Sequence, residues 1–347
     1  IFKKGDKHLA SNYRPVSLTS ICCKLCEHLV AKNIMEHLES NGLLSDFQHG
    51  FRRMRSCATQ LLLFIDELAK GMCDGEQYDV AIMDFSKAFD VVPHERLLVK
   101  LRHYGIRGST EHWIRSFLED RSQQVVVDGA KSSPAPVTSG VPQGSVLGPI
   151  LFLVFINDMP ECIQAKCRLF ADDSIIYQPV SNEDDCDSLQ RDLDALQEWE
   201  ATWGMSFNPS KCNIMHVSRK RNPSKHTYYL KGQALGVVDH APYLGVNIAK
   251  DLSWHSHVAK VASKASRTLG FIRRNVKGCP TKIKETAYQA LVRPSLEYAA
   301  TVWDPHQKHL SSDIERVQRR VARYVAGNYD PRASVTQMLK DLNWETL

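Results

Sequence analysis

Two apolar runs flank an adjacent pair of carboxylates in the stretch from Arg168 to Tyr177, which sets Asp172 and Asp173 where a tight turn belongs. The stretch reads as a hairpin with acidic groups at its tip. Upstream, the short apolar strand from Val80 to Met83 delivers Asp84 at its end. Taken alone, the Asp pair is as well explained by a solvated acidic turn. Three carboxylates on two strand ends, however, suit a pair of Mg²⁺ ions, because Mg²⁺ takes hard oxygen ligands and is completed by substrate phosphates. Two such ions about 4 Å apart activate an attacking hydroxyl and stabilise a leaving oxygen in phosphoryl transfer. That chemistry is nucleotide addition.

A third block, Ser139 to Pro149, lies between the two acidic strands and contains Gln143-Gly144. Together with Asn12 to Leu18, Gln48 to Arg52, Asp84 through His94, the run to Phe155-Ile156-Asn157-Asp158, Phe170 to Asp173, and Tyr243 to Val246, it gives an ordered set along nearly the whole chain. The chain resembles the reverse transcriptase of a non-LTR (LINE-like) retrotransposon. The resemblance implies an α+β right-hand polymerase, with fingers, palm and thumb, an antiparallel palm sheet and a helical thumb. It implies fingers over 1–76, a palm with a fingers-like insertion over 77–225, a primer-grip sheet over 226–252, and a helical thumb with a C-terminal extension over 253–347.

The implied activity is RNA-directed DNA synthesis on an RNA template, extending a DNA primer with deoxynucleoside triphosphates. Asp84, Asp172 and Asp173, with the Phe85 carbonyl, are the expected ligands of two Mg²⁺ ions, for which Mn²⁺ is a substitute. Adjacent strand residues point to opposite faces, so Asp173 is expected to have a lesser or second-ion role. Lys211 is expected near the nucleotide phosphates as a proton donor to the leaving pyrophosphate. Arg52 and Arg55 are the expected phosphate contacts, Phe89 the ring beneath the sugar, and Gln143 and Gly144 the wall against the nucleotide and template base. Tyr243, Leu244 and Gly245 form the expected primer grip. An endonuclease domain is expected elsewhere in a longer polyprotein, since no nuclease motif or zinc knuckle is present in this sequence. The expected location is intracellular, nuclear or cytoplasmic, as a ribonucleoprotein. Three other readings stay open: a decayed or domesticated nucleic-acid-binding derivative, an intron-maturase-type enzyme, and an RNA-directed RNA polymerase on a similar palm.

Composition agrees with a folded protein of two or three subdomains: 347 residues, 43% hydrophobic and 24% charged. No apolar run approaches the roughly 20 residues that span a bilayer, and no membrane role is indicated. No signal or transit peptide is expected at the basic start. The net charge of +5 hides an asymmetry, because residues 253–327 hold 14 Lys or Arg against 5 Asp or Glu. A basic segment after an acidic one suits a phosphate backbone, although composition alone also fits a solvated basic face. Ten scattered cysteines suit neither a disulfide framework nor a zinc ribbon. Cys22, Cys23, Cys26 and His28 lack a second ligand pair, and the cysteines are expected to be buried helix residues.

Periodicity supplies the supporting elements. A helix through about Glu39 is expected to bury Ile21, Leu25, Leu29, Ile34 and Leu38, and a second, from Ala58 to Lys70, to present Leu61, Leu62, Ile65 and Leu68 to a core. Between them, Met54 stands where the family often has Gly, a departure that brings strain if φ there is positive. A helix from His94 to Tyr104 should close at Gly105, and Gln123 to Gly129 reads as a strand running into a turn. Leu189, Leu193, Leu196, Trp199 and Trp203 predict an amphipathic helix packed on a sheet, followed by a strand over Asn213 to Val217. Val258, Val261, Ala262, Ala265, Leu269 and Ile272 form one helical face, and Ile314, Val317, Val321 and Tyr324 another, with Arg316, Arg319, Arg320 and Arg323 on its other sides.

Overall fold

The computed structural model describes residues 1–3, 5–9 and 12–347, and resolves two compact units, residues 1–60 with 71–238 and residues 61–70 with 239–347. In the first unit, α1 (Ile21–Ser40) begins where the Ser20 hydroxyl accepts a hydrogen bond from Cys23 N, a normal N-cap. It buries Glu27, Ala31, Ile34 and Leu38, whereas Ile21, Leu25 and Leu29 are 79%, 61% and 66% exposed. The expected five-residue stripe is therefore two faces. The step from Leu29 to Ile34 is five residues, which turns the helix by about 140° and carries the later residues away from the earlier ones. For the same reason Cys22 and Cys26 face solvent and Cys23 is half-buried, contrary to the expected buried side.

Helix α2 (Cys57–Cys73) has residues 61–70 in the second unit, and there Leu61, Phe64, Ile65 and Leu68 are buried. Leu62, expected among them, is exposed, and Phe64 holds the core position instead. Strand β1 (Tyr78–Met83) follows, then a one-turn α3 (Ala88–Val91), α4 (His94–His103) and α5 (Gly108–Leu118). Gly105, at φ +83, ends α4 as expected. The strand expected from Gln123 to Gly129 is broken into short pieces: β2 (Arg121–Gln123), β3 (Val126–Val127), β4 (Ala130–Lys131) and β5 (Ala135–Val137). Asp128 and Gly129 both have positive φ, the signature of a type I′ turn, so β3 folds back on β4 while β2 pairs with β5.

Helix α6 (Leu147–Ile156) buries nine of its ten residues. Its N-terminus is held by the buried Glu27 carboxylate, which accepts from Val146 N at 2.7 Å and Leu147 N at 3.0 Å, with the helix dipole favouring the charge. Strands β6 (Lys166–Phe170) and β7 (Asp173–Pro179) form the acidic hairpin. Helix α7 (Glu183–Trp203) carries a capping box between Asn182 and Asp185 and ends at Gly204 in the left-handed conformation. Leu189, Leu193, Leu196 and Trp199 are buried on it, the face that the spacing predicts. Then come β8 (Asn213–Val217), the hairpin β9 (Tyr229–Leu230) and β10 (Gln233–Ala234), and β11 (Gly236–Val237).

The central sheet has the order β11-β8-β1-β7-β6, antiparallel except for the β11–β8 pair. Its strands β1 and β8 carry a buried polar cluster. Fully buried Asp79 accepts from Tyr228 Oη at 2.7 Å and Gln77 Nε2 at 2.9 Å, and lies 2.8 Å from His216 Nδ1. Lys100 is likewise buried, 2.6 Å from Asp158 and with its ammonium 3.7 Å from the centre of the Trp203 ring. Burial holds its pKa down to about 8, against the pull of Asp158.

In the second unit, β12 (His240–Tyr243) and β13 (Val246–Ala249) form a hairpin, followed by α8 (His255–Asn275), α9 (Thr281–Leu291), α10 (Arg293–Glu297), α11 (Ala300–Trp303), α12 (Lys308–Ala326) and α13 (Val335–Asp341). The single sheet expected over 226–252 is thus two separate hairpins, and the division between units falls after Val238. Helices α8 and α12 bury the faces that their periodicity predicts. Val258, Ala265, Leu269 and Ile272 are buried on one, with Val261 and Ala262 half-buried beside them, and Ile314, Val317, Val321 and Tyr324 are buried on the other. Lys260, Lys264, Arg267, Arg316, Arg319 and Arg320 remain exposed.

Candidate active site

Asp84 follows β1 directly, and its backbone is stitched to the loop before β8. Asn208 N donates to the Asp84 carbonyl at 2.8 Å, Ser86 N donates to Ser206 O at 2.7 Å, and the Phe85 and Phe207 rings stack 4.1 Å apart. This zipper fixes where the carboxylate begins, and buried Phe85 anchors it. Lys211 closes the loop by donating to Asp84 Oδ1 at 3.0 Å. The expected lysine therefore stands beside the expected aspartate. A cleft of about 410 Å³ opens here, lined by Ser86, Lys87, Ser206, Asn208 and Lys211 among others.

The acidic hairpin sits on the neighbouring strand. Phe170 pairs with Asp173 across a two-residue turn, Ala171-Asp172, so Asp172 occupies the tip and Asp173 is the first residue of β7. Ala171 has φ +54, a positive value at the first turn position as in the primed turns that match strand twist. The register Met83 to Ser174, continued by one residue, sets Asp84 opposite Asp173. Electrostatics report the same closeness. The Asp172 pKa is raised, first by loss of surrounding water and then by the charge of Asp84, with Arg14 and Lys3 pulling the other way. Asp173 is pushed up to about 6, by the same loss of water and by Asp172 and Asp84. Its side chain is exposed, so the crowding of like charge is the firmer of those causes.

Hard carboxylate oxygens at a turn where neighbouring negative charge raises the Asp172 and Asp173 pKa values are the donor chemistry a divalent cation relieves, and in that respect the residues fit the expected metal. Among the described residues, however, no three carboxylate, imidazole or thiol groups converge closely enough to hold an ion, and one oxygen of Asp84 is engaged by Lys211.

Phe89 is half-buried, its ring stacked 4.3 Å from that of Phe152, and Val141 N donates to its carbonyl at 2.8 Å. Gln143 donates through Nε2 to Asp90 Oδ1 at 2.6 Å, and its carbonyl accepts from Ser17 N. Gly144 is exposed at φ +90. Phe89 and Gln143 are thus linked through the segment 89–90. Arg52 and Arg55 are committed elsewhere. Arg52 donates to Glu39 at 3.3 Å and to Ser45 O at 2.9 Å with its side chain only 10% exposed, and Arg55 pairs with Asp46 at 2.7 Å. A phosphate contact from either requires an exchange of partners. Met54, between them, has φ +61, the strained conformation its position raised as a concern.

Within the second unit, Tyr243, Leu244, Gly245 and Val246 form the β12–β13 turn, with Leu244 and Gly245 both at positive φ. Tyr298 Oη donates to Leu244 O at 2.9 Å, and a Cβ on Gly245 would lie 2.9 Å from the Tyr298 ring. Two residues near the acidic turn escaped sequence reasoning. Arg14 and Gln48 both belong to matched motifs, but nothing in either motif points to the acidic turn, and Gln48 is a buried amide in a loop with no periodicity.

A protein-family model described as reverse transcriptase (RNA-dependent DNA polymerase) matches residues 1–248. Among curated proteins, the chain is 29% identical, over 97% of its length, to a probable RNA-directed DNA polymerase from transposon BS of Drosophila melanogaster, of which it covers 38%. It is also 29% identical, over 94% of its length, to the RNA-directed DNA polymerase from the mobile element jockey of Drosophila funebris, of which it covers 37%. The chain spans less than two-fifths of the length of these relatives. Among solved structures, apo telomerase from Candida tropicalis is similar at a TM-score of 0.49 and 12% identity, over 91% of this chain and 51% of that one.

Proposed function

The chain belongs to the reverse transcriptase (RNA-dependent DNA polymerase) family, and from that premise we propose that it extends a DNA primer on an RNA template with deoxynucleoside triphosphates, as part of a non-LTR retrotransposon polyprotein. The observation that carries the reading is the strand register, which brings Asp84 to the Asp172-Asp173 turn on adjacent strand ends, where loss of water and the Asp84 charge raise Asp172, and loss of water with the Asp172 and Asp84 charges raises Asp173. Asp84, Asp172, Asp173 and the Phe85 carbonyl would hold two Mg²⁺ ions, or Mn²⁺ in their place, which supply activation of the primer hydroxyl and stabilisation of the leaving pyrophosphate. Lys211 is set to give a proton to that leaving group, because it already stands 3.0 Å from Asp84 and lines the adjoining cleft. Phe89, braced by Phe152, closes the space beneath the sugar. Gln143 and Gly144 lie against the nucleotide, Arg52 and Arg55 meet its phosphates after exchanging partners, and the turn of Tyr243, Leu244 and Gly245 holds the primer end. An endonuclease in the remainder of the polyprotein would create that end, and the working particle would be an intracellular ribonucleoprotein. No helix among the described residues is long and apolar enough to cross a membrane.

The test is extension of a labelled DNA primer on an RNA template with Mg²⁺, comparing the native chain with Asp172→Asn. Deoxynucleotide incorporation by the native chain that disappears in the variant is the expected result. Equal incorporation by both would remove Asp172 from the chemistry, and incorporation of ribonucleotides alone would move the chain to RNA synthesis.

A further inference from the structure

Between α1 and α2 the chain runs alongside the acidic hairpin. Gln48 forms a parallel bridge with Leu169, His49 N donates to Leu169 O at 2.9 Å, and Leu169 N donates to Phe47 O at 3.0 Å. This contact brings a side chain to the turn. Gln48 is 2% exposed, and its Oε1 accepts two hydrogen bonds, from Gly50 N at 2.7 Å and from Ala171 N at 2.9 Å. Gly50 is what permits the approach, since a Cβ there would fall 2.4 Å from Ala171 N.

The recipient of the second bond is the strained residue of the turn. Ala171 holds φ +54, where a side chain is disfavoured, and it is 6% exposed, so its N–H has no access to bulk water. Removing the acceptor leaves a buried donor unsatisfied at a residue that already resists its conformation. The turn then relaxes, and the next residue is Asp172. We propose that Gln48 is a positioning residue for catalysis: its side-chain carbonyl holds the Ala171 amide, and through it sets the Asp172 carboxylate. The inference rests on the reading of Asp172 given above.

Gln48→Met keeps the volume and removes the acceptor. Gln60→Met is the control, because buried Gln60 donates to the backbone of the same strand, at Leu169 O and 3.2 Å. Three readouts are taken on the full chain: hydrogen exchange at the Ala171 amide without substrate, thermal denaturation, and single-turnover extension. The expected result for Gln48→Met is a freely exchanging Ala171 amide and a rate constant lower by about ten- to a hundredfold, with the nucleotide KM and template-primer Kd within about twofold of native. Gln60→Met should lower the melting temperature similarly and keep the rate constant. Adding Ala171→Gly to Gln48→Met should restore part of the rate, because glycine adopts positive φ without strain. A native rate constant in Gln48→Met, a loss matched by Gln60→Met, or no rescue by Ala171→Gly would each overturn the proposal. If Gln48→Met does not fold, Gln48→Glu decides, since it retains the acceptor. A protected Ala171 amide there supports the proposal, and an unprotected amide with a native rate overturns it. Activity in Asp172→Asn would instead defeat the underlying reading and leave the exchange result standing by itself.

Discussion

In residues 1–60 with 71–238, charged groups are buried and held by hydrogen bonds, as with Asp79 on β1, Glu27 at the start of α6 and Lys100 against Asp158. In residues 61–70 with 239–347, charge stays on helix surfaces in local pairs such as Arg316–Asp313 and Arg293–Glu297. Burying a charge is costly and tolerates little movement, whereas exposed pairs contribute little and shift freely. The difference suits the two kinds of work proposed for the units. Placing a reacting carboxylate needs a fixed frame, while holding a repeating phosphate backbone needs charge density more than geometry.

The largest test of that contrast removes a carboxylate from the frame. Asp84→Asn is expected to lower the extension rate by about a thousandfold or more, roughly 4 kcal/mol of lost transition-state stabilisation, while template-primer affinity measured by fluorescence anisotropy stays within about twofold. Next is the frame itself. Asp79→Ala strips the partner from His216 and Tyr228 and should cost about 3–5 kcal/mol in urea denaturation, whereas Asp313→Ala on α12 should cost below about 0.5 kcal/mol. Equal costs would break the comparison.

Acid should find a weak point in each unit. Burial holds His49 down to about 4, helped by Arg55, Arg168 and Arg52 and opposed by Asp46, and burial with Lys260 does the same to His257. The unfolded chain takes up these protons first as pH falls. Stability is therefore intact above pH 6.5 and lost between 6.5 and about 4, by at most about 3 kcal/mol per histidine. His49→Gln and His257→Gln should each flatten that limb in denaturation curves measured across the window. For sugar selection, Phe89→Val is expected to keep extension and lower the ratio of deoxynucleotide to ribonucleotide kcat/KM by up to about a hundredfold, and an unchanged ratio would dismiss the ring as a gate. The smallest effect belongs to the surface. Arg316, Arg319 and Arg320 changed together to Gln should weaken template-primer binding about tenfold at low salt and flatten its salt dependence, with the rate at saturation unchanged.

Much of this was legible in the sequence because it is local or periodic. Asp84, Asp172 and Asp173 announce themselves as carboxylates at strand ends, and α7, α8 and α12 bury the faces their spacing predicts. The misread parts fail for physical reasons. On α1, the five-residue step from Leu29 to Ile34 breaks the helical spacing, so Ile21, Leu25 and Leu29 lie on a different face from Ile34 and Leu38. On α2, Phe64 and Leu62 are both apolar, and only tertiary packing chooses between them. Gln48 and Glu27 act on backbone amides more than 100 residues away, at Ala171 and at Val146, and such a bond leaves no pattern in the chain around it.

Lys100 has a use as a clock. An amine with a pKa near 8 is uncharged, and so nucleophilic, at a pH where ordinary lysines are nearly all protonated, yet Trp203, Phe155 and Trp199 wall it off from any reagent. Acylation of Lys100 must wait for that wall to part. Peptide mapping after timed exposure to an acylating reagent would record solvent-exposed lysines within the first minutes and Lys100 at the pace of opening, so one side chain meters how often the interior of its unit is breached.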